Sequence, residues 1–199
     1  MRQRIPYVTT ALIAVNLIVF FLAEAVSGST LRTDVLTLWG GASVSLISGG
    51  QYWRLFTAMF LHSGIRHLLN NMLLLYLMGS VLEDQLGRVR CLILYLTSGV
   101  LANAICWRLY VLQDRNVVSV GASGAIFGVM GGILWIILRC RGRVEGLTLR
   151  QMLILLAFSL YFGFTSPDVA NAAHLAGLAI GFLMAVPLYR HHKRQADYV

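Results

Sequence analysis

Charge is scarce in this chain. Charged side chains make up 12% of its 199 residues, about half the ~25% of an ordinary soluble domain. Only 8 are Asp or Glu, against 16 Lys and Arg, for a net charge of +8. With 58% hydrophobic residues and a mean hydropathy of +0.73, this excludes an ordinary soluble globular protein and a disordered one. The apolar mass exceeds what a soluble core of this size can bury and needs lipid to face. Cysteine is almost absent too. Cys91, Cys106 and Cys140 are odd in number and form no C-x-x-C, so neither a disulfide framework nor a thiolate zinc site is indicated. They read as small apolar packing residues. There is no nucleotide-binding glycine loop, no acidic cation site and no internal repeat. The missing repeat argues against a transporter built from inverted halves. No metal and no cofactor is expected. The pI near 9.9 invites a nucleic-acid reading. The basic residues fall between apolar runs, as topology signals do, so no nucleic-acid partner is expected.

Six stretches are apolar enough for spans, at 8–25, 67–82, 91–107, 121–138, 149–165 and 170–188. The long piece 26–66 is too interrupted to span. Its Trp39, Tyr52 and Trp53 suit a segment at the level of the lipid headgroups. One set of loops carries eleven of the Lys and Arg residues (Arg2, Arg4, Arg88, Arg90, Arg139, Arg141, Arg143, Arg150, Arg190, Lys193 and Arg194), the other five (Arg32, Arg54, Arg66, Arg108 and Arg115). Both termini should then be cytoplasmic, with 26–66 facing outward. Ala23-Glu24-Ala25 after the first apolar run mimics a signal-peptide cleavage site, but the run is longer than a usual signal core, so it is expected to stay as a span.

Polar groups inside spans are costly and mark function. His67, Ser123 and His174 each lie 16 residues before the charge that ends their span, namely Glu83, Arg139 and Arg190. At 1.5 Å per residue all three sit ~24 Å above the cytoplasmic edge, about one turn below the outer surface. Asn71 is one turn further in than His67, on the same helix face. Gly124, Gly128 and Gly132 repeat every fourth residue, as do Ala173, Gly177 and Gly181. Such small-residue ridges let two backbones approach closely in lipid. If the ridges meet, Ser123 and His174 come within hydrogen-bond reach.

An imidazole is the usual base that makes a serine hydroxyl nucleophilic. Gly121-Ala122-Ser123-Gly124 sets the serine at a helix start, where backbone N–H groups can receive an oxyanion. The Asn71 amide and a His67 N–H can point at the same charge. The nearest acid, Asp168, falls in the loop before the sixth span, so a Ser–His dyad is expected rather than a triad. Phe127, one turn from Ser123, can pack on the His174 ring. Taken singly, the serine also fits a bond to its own helix backbone. The glycines fit plain packing, and the histidines fit interhelical glue, metal ligands or a proton path.

Together these residues resemble the rhomboid intramembrane serine proteases of the six-span prokaryotic type. The likeness rests on G-x-S-G at 121–124, the A-H-x-x-G-x-x-x-G pattern of Ala173, His174, Gly177 and Gly181, and the H-x-x-x-x-H-x-x-x-N pattern of His62, His67 and Asn71. Trp53-Arg54 in the outer loop, and Glu83 with Gly87 closing the second span, complete it. A lone G-x-S-G is weak; the set, in order and on the right spans, is specific. Ala172, where some members have glycine, is a mild departure.

The resemblance implies an all-α polytopic fold of six transmembrane helices in one domain, 1–199, ending in a short basic cytoplasmic tail at 189–199. His191 and His192 in that tail read as solvated. It further implies residence in the bacterial inner membrane, with the active site opening outward. Ser123 would be the nucleophile and His174 the general base, then acid. His67, Asn71 and the Ser123 N–H would form the oxyanion hole. The Trp53-Arg54 loop would be structural. Single-span membrane proteins in the lipid bilayer would be the substrates, reaching the site laterally near the fifth span. Phe158, Tyr161 and Phe162 are candidates for the gate there. A silent relative that binds membrane clients typically lacks the serine or the histidine, and both are present. A channel using His67 and His174 as a proton path would keep its flux without Ser123. The oligomeric state is not legible.

Overall fold

A computed structural model describes residues 5–165 and 171–189, with backbone only at 162–165. Six long helices account for most of it: α1 (Tyr7–Ser27), α5 (Gly64–Leu86), α6 (Arg88–Leu112), α7 (Ser123–Arg139), α8 (Leu149–Thr165) and α9 (Asn171–Leu188). Each overlaps one of the six expected spans. Between α1 and α5 lie the short α2 (Thr33–Leu38), α3 (Val44–Ser48) and α4 (Arg54–Thr57), with a two-residue strand β1 (Ala42–Ser43) and a 3-10 turn at Ala58–Phe60. This is the stretch read from sequence as too broken to span. Asp168 and the basic tail from Arg190 onward lie outside the described residues, as do Arg2 and Arg4.

By length and composition α1, α5, α6 and α9 can cross a membrane, at 21, 23, 25 and 18 residues. The other two, α7 and α8, have 17 residues each, about 25 Å of helix. For α7 the shortfall has a physical reason. Gly124 through Ile133 are all buried, and α5, α6, α8 and α9 pack around the helix. A helix apolar on every side and enclosed by others is the centre of a bundle. It faces protein rather than lipid, so lipid thickness does not set its length.

Close approach of α7 and α9 is written in their glycines. A Cβ built on Gly177 would lie 2.0 Å from the Gly124 carbonyl oxygen, and one on Gly181 would lie 1.8 Å from that of Gly128. The two small-residue ridges do meet. The outer surfaces of the surrounding helices are apolar: Leu73, Phe158 and Leu183 are each at least 60% exposed. Such a surface suits hydrocarbon as solvent and would be untenable in water.

One buried acid fixes the start of the bundle. Glu83, near the end of α5, accepts hydrogen bonds from the N–H groups of Val8 (3.0 Å) and Thr9 (2.8 Å) and from the Thr9 hydroxyl (2.9 Å). Those amides open α1 and have no intrahelical acceptor. A carboxylate there also meets the positive end of the helix dipole.

The interhelical loops are held by equally specific bonds. Strand β1 pairs antiparallel with β2 (Val118–Ser119), Ala42 opposite Ser119 and Ser43 opposite Val118. Arg54 is buried, and its guanidinium donates to the Thr37 and Gly41 carbonyls (2.7 and 3.1 Å) and to Gln51 Oε1 (2.7 Å) while stacking on Trp53. The Gly121 N–H donates to Ala58 O (2.9 Å). The segment leading into α7 is thereby pinned. At the other end of α7 a second two-stranded ladder, β3 (Arg143–Val144) with β4 (Leu147–Thr148), turns the chain into α8.

Candidate active site

Ser123 is the first residue of α7, with Ala122 as its N-cap. The first bond of the helical ladder runs from Ile126 N–H to Ala122 O (3.0 Å). The amides of Ser123 and Gly124 therefore precede the ladder, at the positive end of the helix dipole. From α9, His174 reaches across the glycine contact. Its Nε2 lies 2.9 Å from Ser123 Oγ. This is hydrogen-bond distance between a hydroxyl and the base that can take its proton.

Two features fix the imidazole. The Phe127 ring stacks on it at a centroid distance of 4.3 Å with planes 11° apart. The backbone carrying it is locked by Gly177 and Gly181 one and two turns on. Among the described residues His174 Nδ1 is buried and has no hydrogen-bond partner, so none of them orients the ring from that side. The stack on Phe127 does orient it. An aromatic pair contributes about 0.5–1.5 kcal/mol beyond its buried area. Phe127→Leu, which keeps most of the volume, should lower kcat by roughly 3- to 10-fold with little change in KM, and should lower stability by about 1 kcal/mol because Phe127 is buried in the core. Steady-state kinetics beside a melting curve checks this.

The His67 ring packs against Gly121, two residues before the serine. A Cβ built on Gly121 would lie 2.9 Å from both Cε1 and Nε2 of His67, and 3.8 Å from Ser123 Oγ. The missing side chain of Gly121 is thus what keeps the space between the His67 ring and the Ser123 hydroxyl open. Gly121 also has a φ of +127°, which side-chain-bearing residues rarely adopt. An imidazole edge and the helix N-terminus thus flank the place beside Ser123 where an oxyanion would form. The Asn71 amide is not aimed at Ser123. It donates to His67 O on its own helix (3.0 Å), which leaves its second hydrogen free for an oxyanion.

Ser123, His174, Phe127 and His67 lie close together, and Asn71 bonds the His67 carbonyl from the next turn of α5. Phe158 and Tyr161 are exposed on α8, and the side chain of Phe162 lies outside the described residues. Sequence reasoning gave no role to His62. Its Nε2 accepts the Ala122 N–H (3.5 Å), and its ring packs edge-on against His67 at 5.1 Å. His62 thereby links the start of α7 to the start of α5. Its spacing from His67 was visible, but this partner is 60 residues away and has no local signature. No cluster of three or more metal-ligating side chains occurs among the described residues.

Comparison with known proteins identifies the family. The rhomboid domain family matches residues 49–191, well over half the chain. The chain is 36% identical over 183 residues to rhomboid protease GluP of Bacillus subtilis (strain 168), covering 92% of this chain and 35% of that protein. Against the putative rhomboid protease YdcA of the same organism, identity is 39% over 140 residues, covering 70% and 68%. RHOMBOID-like protein 4 of Arabidopsis thaliana is 38% identical over 174 residues, covering 83% and 41%. The chain thus spans well under half of the first and third of these relatives, and about two thirds of the second. The matched domain, the packed apolar helices and the shared sequence establish that this chain belongs to the rhomboid family and is a multi-pass integral membrane protein.

Proposed function

We propose that this chain is an intramembrane serine endopeptidase that cuts single-span membrane proteins within or near their transmembrane segment. The observation that carries the reading is the 2.9 Å contact of Ser123 Oγ with His174 Nε2 at the N-terminus of a buried helix. His174 takes the hydroxyl proton as Ser123 attacks the scissile carbonyl. The tetrahedral oxyanion is received by the Ser123 N–H, His67 Nε2–H and the Asn71 amide. His174 then protonates the leaving amine, and water releases the acyl-enzyme with the same residue acting as base. No step calls for a metal or nucleotide.

The topology follows from the charges. All six long helices cross the bacterial inner membrane within one domain, 1–199, and both termini face the cytoplasm. Ser123 opens toward the outer side, where water can reach it. Substrate helices arrive laterally from the bilayer near α8, past Phe158 and Tyr161. The protease names of the bacterial relatives support the chemistry.

The test is cleavage of a generic single-span protein co-reconstituted with the purified chain, with the cut bond located by mass spectrometry. A cut within or next to the span is expected. Folded protein that leaves several such substrates intact would point instead to a client-binding role.

A further inference from the structure

Helix α5 carries His67, yet its cap residue Ser63 makes no side-chain capping bond. The amides of a first turn need acceptors from somewhere. Here one comes from 34 residues away. The Gly64 N–H donates to Thr30 Oγ1 (3.2 Å). That hydroxyl in turn donates to Glu24 Oε1 (2.5 Å), which also accepts the Thr30 N–H (2.8 Å). A hydroxyl has one hydrogen. Because it is committed to the Glu24 carboxylate, the oxygen lone pairs of Thr30 are left facing Gly64. Thr30 is only 1% exposed, and a Cβ on Gly64 would lie 2.8 Å from Leu31 Cδ2. The turn after α1 therefore holds the first turn of α5 both by hydrogen bonds and by contact.

The consequence reaches His67. The Ser63 N–H donates to His67 Nδ1 at 3.4 Å. A backbone N–H can only donate, so Nδ1 carries the lone pair and the proton of the neutral ring sits on Nε2. Nε2 belongs to the edge that faces Gly121 and Ser123. A 3.4 Å bond is at the long limit, so a shift of a few tenths of an ångström in the first turn would release it and free the tautomer. We propose that Glu24 and Thr30 are positioning residues for the oxyanion side of the site, clamping the Ser63–Gly64 turn so that its N–H holds His67 with the proton on Nε2. This inference rests on the proteolytic reading above. Neither residue touches the reacting atoms.

The test uses the whole 199-residue chain, with Thr30→Val to remove the hydroxyl and Thr30→Ser to keep it. Two readouts are needed. The first is kcat per serine titrated with a fluorophosphonate, which discounts unfolded protein. The second is the His67 tautomer, read by nitrogen NMR on histidine-labelled protein and assigned with His67→Gln. Thr30→Val should lower kcat by roughly 10- to 100-fold, below the ~10²–10³ of deleting an oxyanion donor outright. KM should stay nearly constant, and the His67 signal should change from Nε2–H to a tautomer mixture. Thr30→Ser should restore both. Glu24→Leu should repeat the Thr30→Val result and serves in its place if that variant does not fold. An unchanged tautomer together with an unchanged kcat in the folded variants would overturn the proposal. Wild type that cuts nothing, while Thr30→Val still shifts the tautomer, would overturn the proteolytic reading and uphold the linkage.

Discussion

Ser123→Ala should fold as the wild type does and lose cleavage by ~10⁴-fold or more, which is complete loss in a gel assay. The hydroxyl accepts or donates one bond, to His174, and the residue is half-buried at the end of α7 rather than in its interior. Removing one oxygen there leaves no cavity of consequence and breaks none of the glycine contacts. The expected pattern is therefore unchanged helicity and an unchanged unfolding midpoint beside absent product. A purely structural serine would give the reverse, a lower midpoint with retained cleavage. Residual activity within tenfold of wild type would mean that another nucleophile acts.

The second large effect is on the fold itself. Gly181→Val should lower stability by several kcal/mol and activity by ~10²-fold or more. A Cβ at this position would fall 1.8 Å from Gly128 O and 2.6 Å from Gly128 Cα. Those are backbone atoms, so no rotamer change relieves the clash. The helices α7 and α9 would have to part by nearly 2 Å to reach an ordinary contact of about 3.5 Å. Overpacking a core costs about 1–3 kcal/mol and sometimes more, against a total stability of about 5–15 kcal/mol. A clash with backbone on both sides belongs at the upper end. Activity should suffer further, because the same two helices carry Ser123 and His174, and ~1 Å of misplacement can cost 10²-fold. Unfolding in denaturing detergent, followed beside cleavage, measures both. A variant with the wild-type midpoint would show that α7 and α9 do not pack as described.

Much of this was legible in the sequence, for identifiable reasons. Long apolar runs between charges set the six helices, since few other structures satisfy so uniform a composition. The period-four glycines announced the α7–α9 contact, because in lipid small residues at that spacing have few other uses. Ser123 and His174 are each next to the start of one ridge, which is why one-dimensional spacing forecast a three-dimensional contact. Other features were out of reach. Nothing near Glu83 shows that it caps α1, and nothing near Thr30 shows that it caps α5. Their partners lie 74 and 34 residues away. Likewise β1 and β2 are two residues each, too short for any alternation to be read. Long-range polar bonds that satisfy helix ends leave no periodic trace, and in this chain they close the starts of α1 and α5. The direction of the Asn71 amide, turned to its own helix, is a further detail that spacing could not give.

The most direct measurement is the location and rate of fluorophosphonate attachment to the purified wild-type protein and to His174→Ala. Attachment to Ser123 alone, with the reaction lost in folded His174→Ala, is the result the proposed mechanism predicts, because in it the hydroxyl is reactive only through that imidazole. Attachment at another residue, or an equal rate without His174, would contradict the Ser123–His174 dyad.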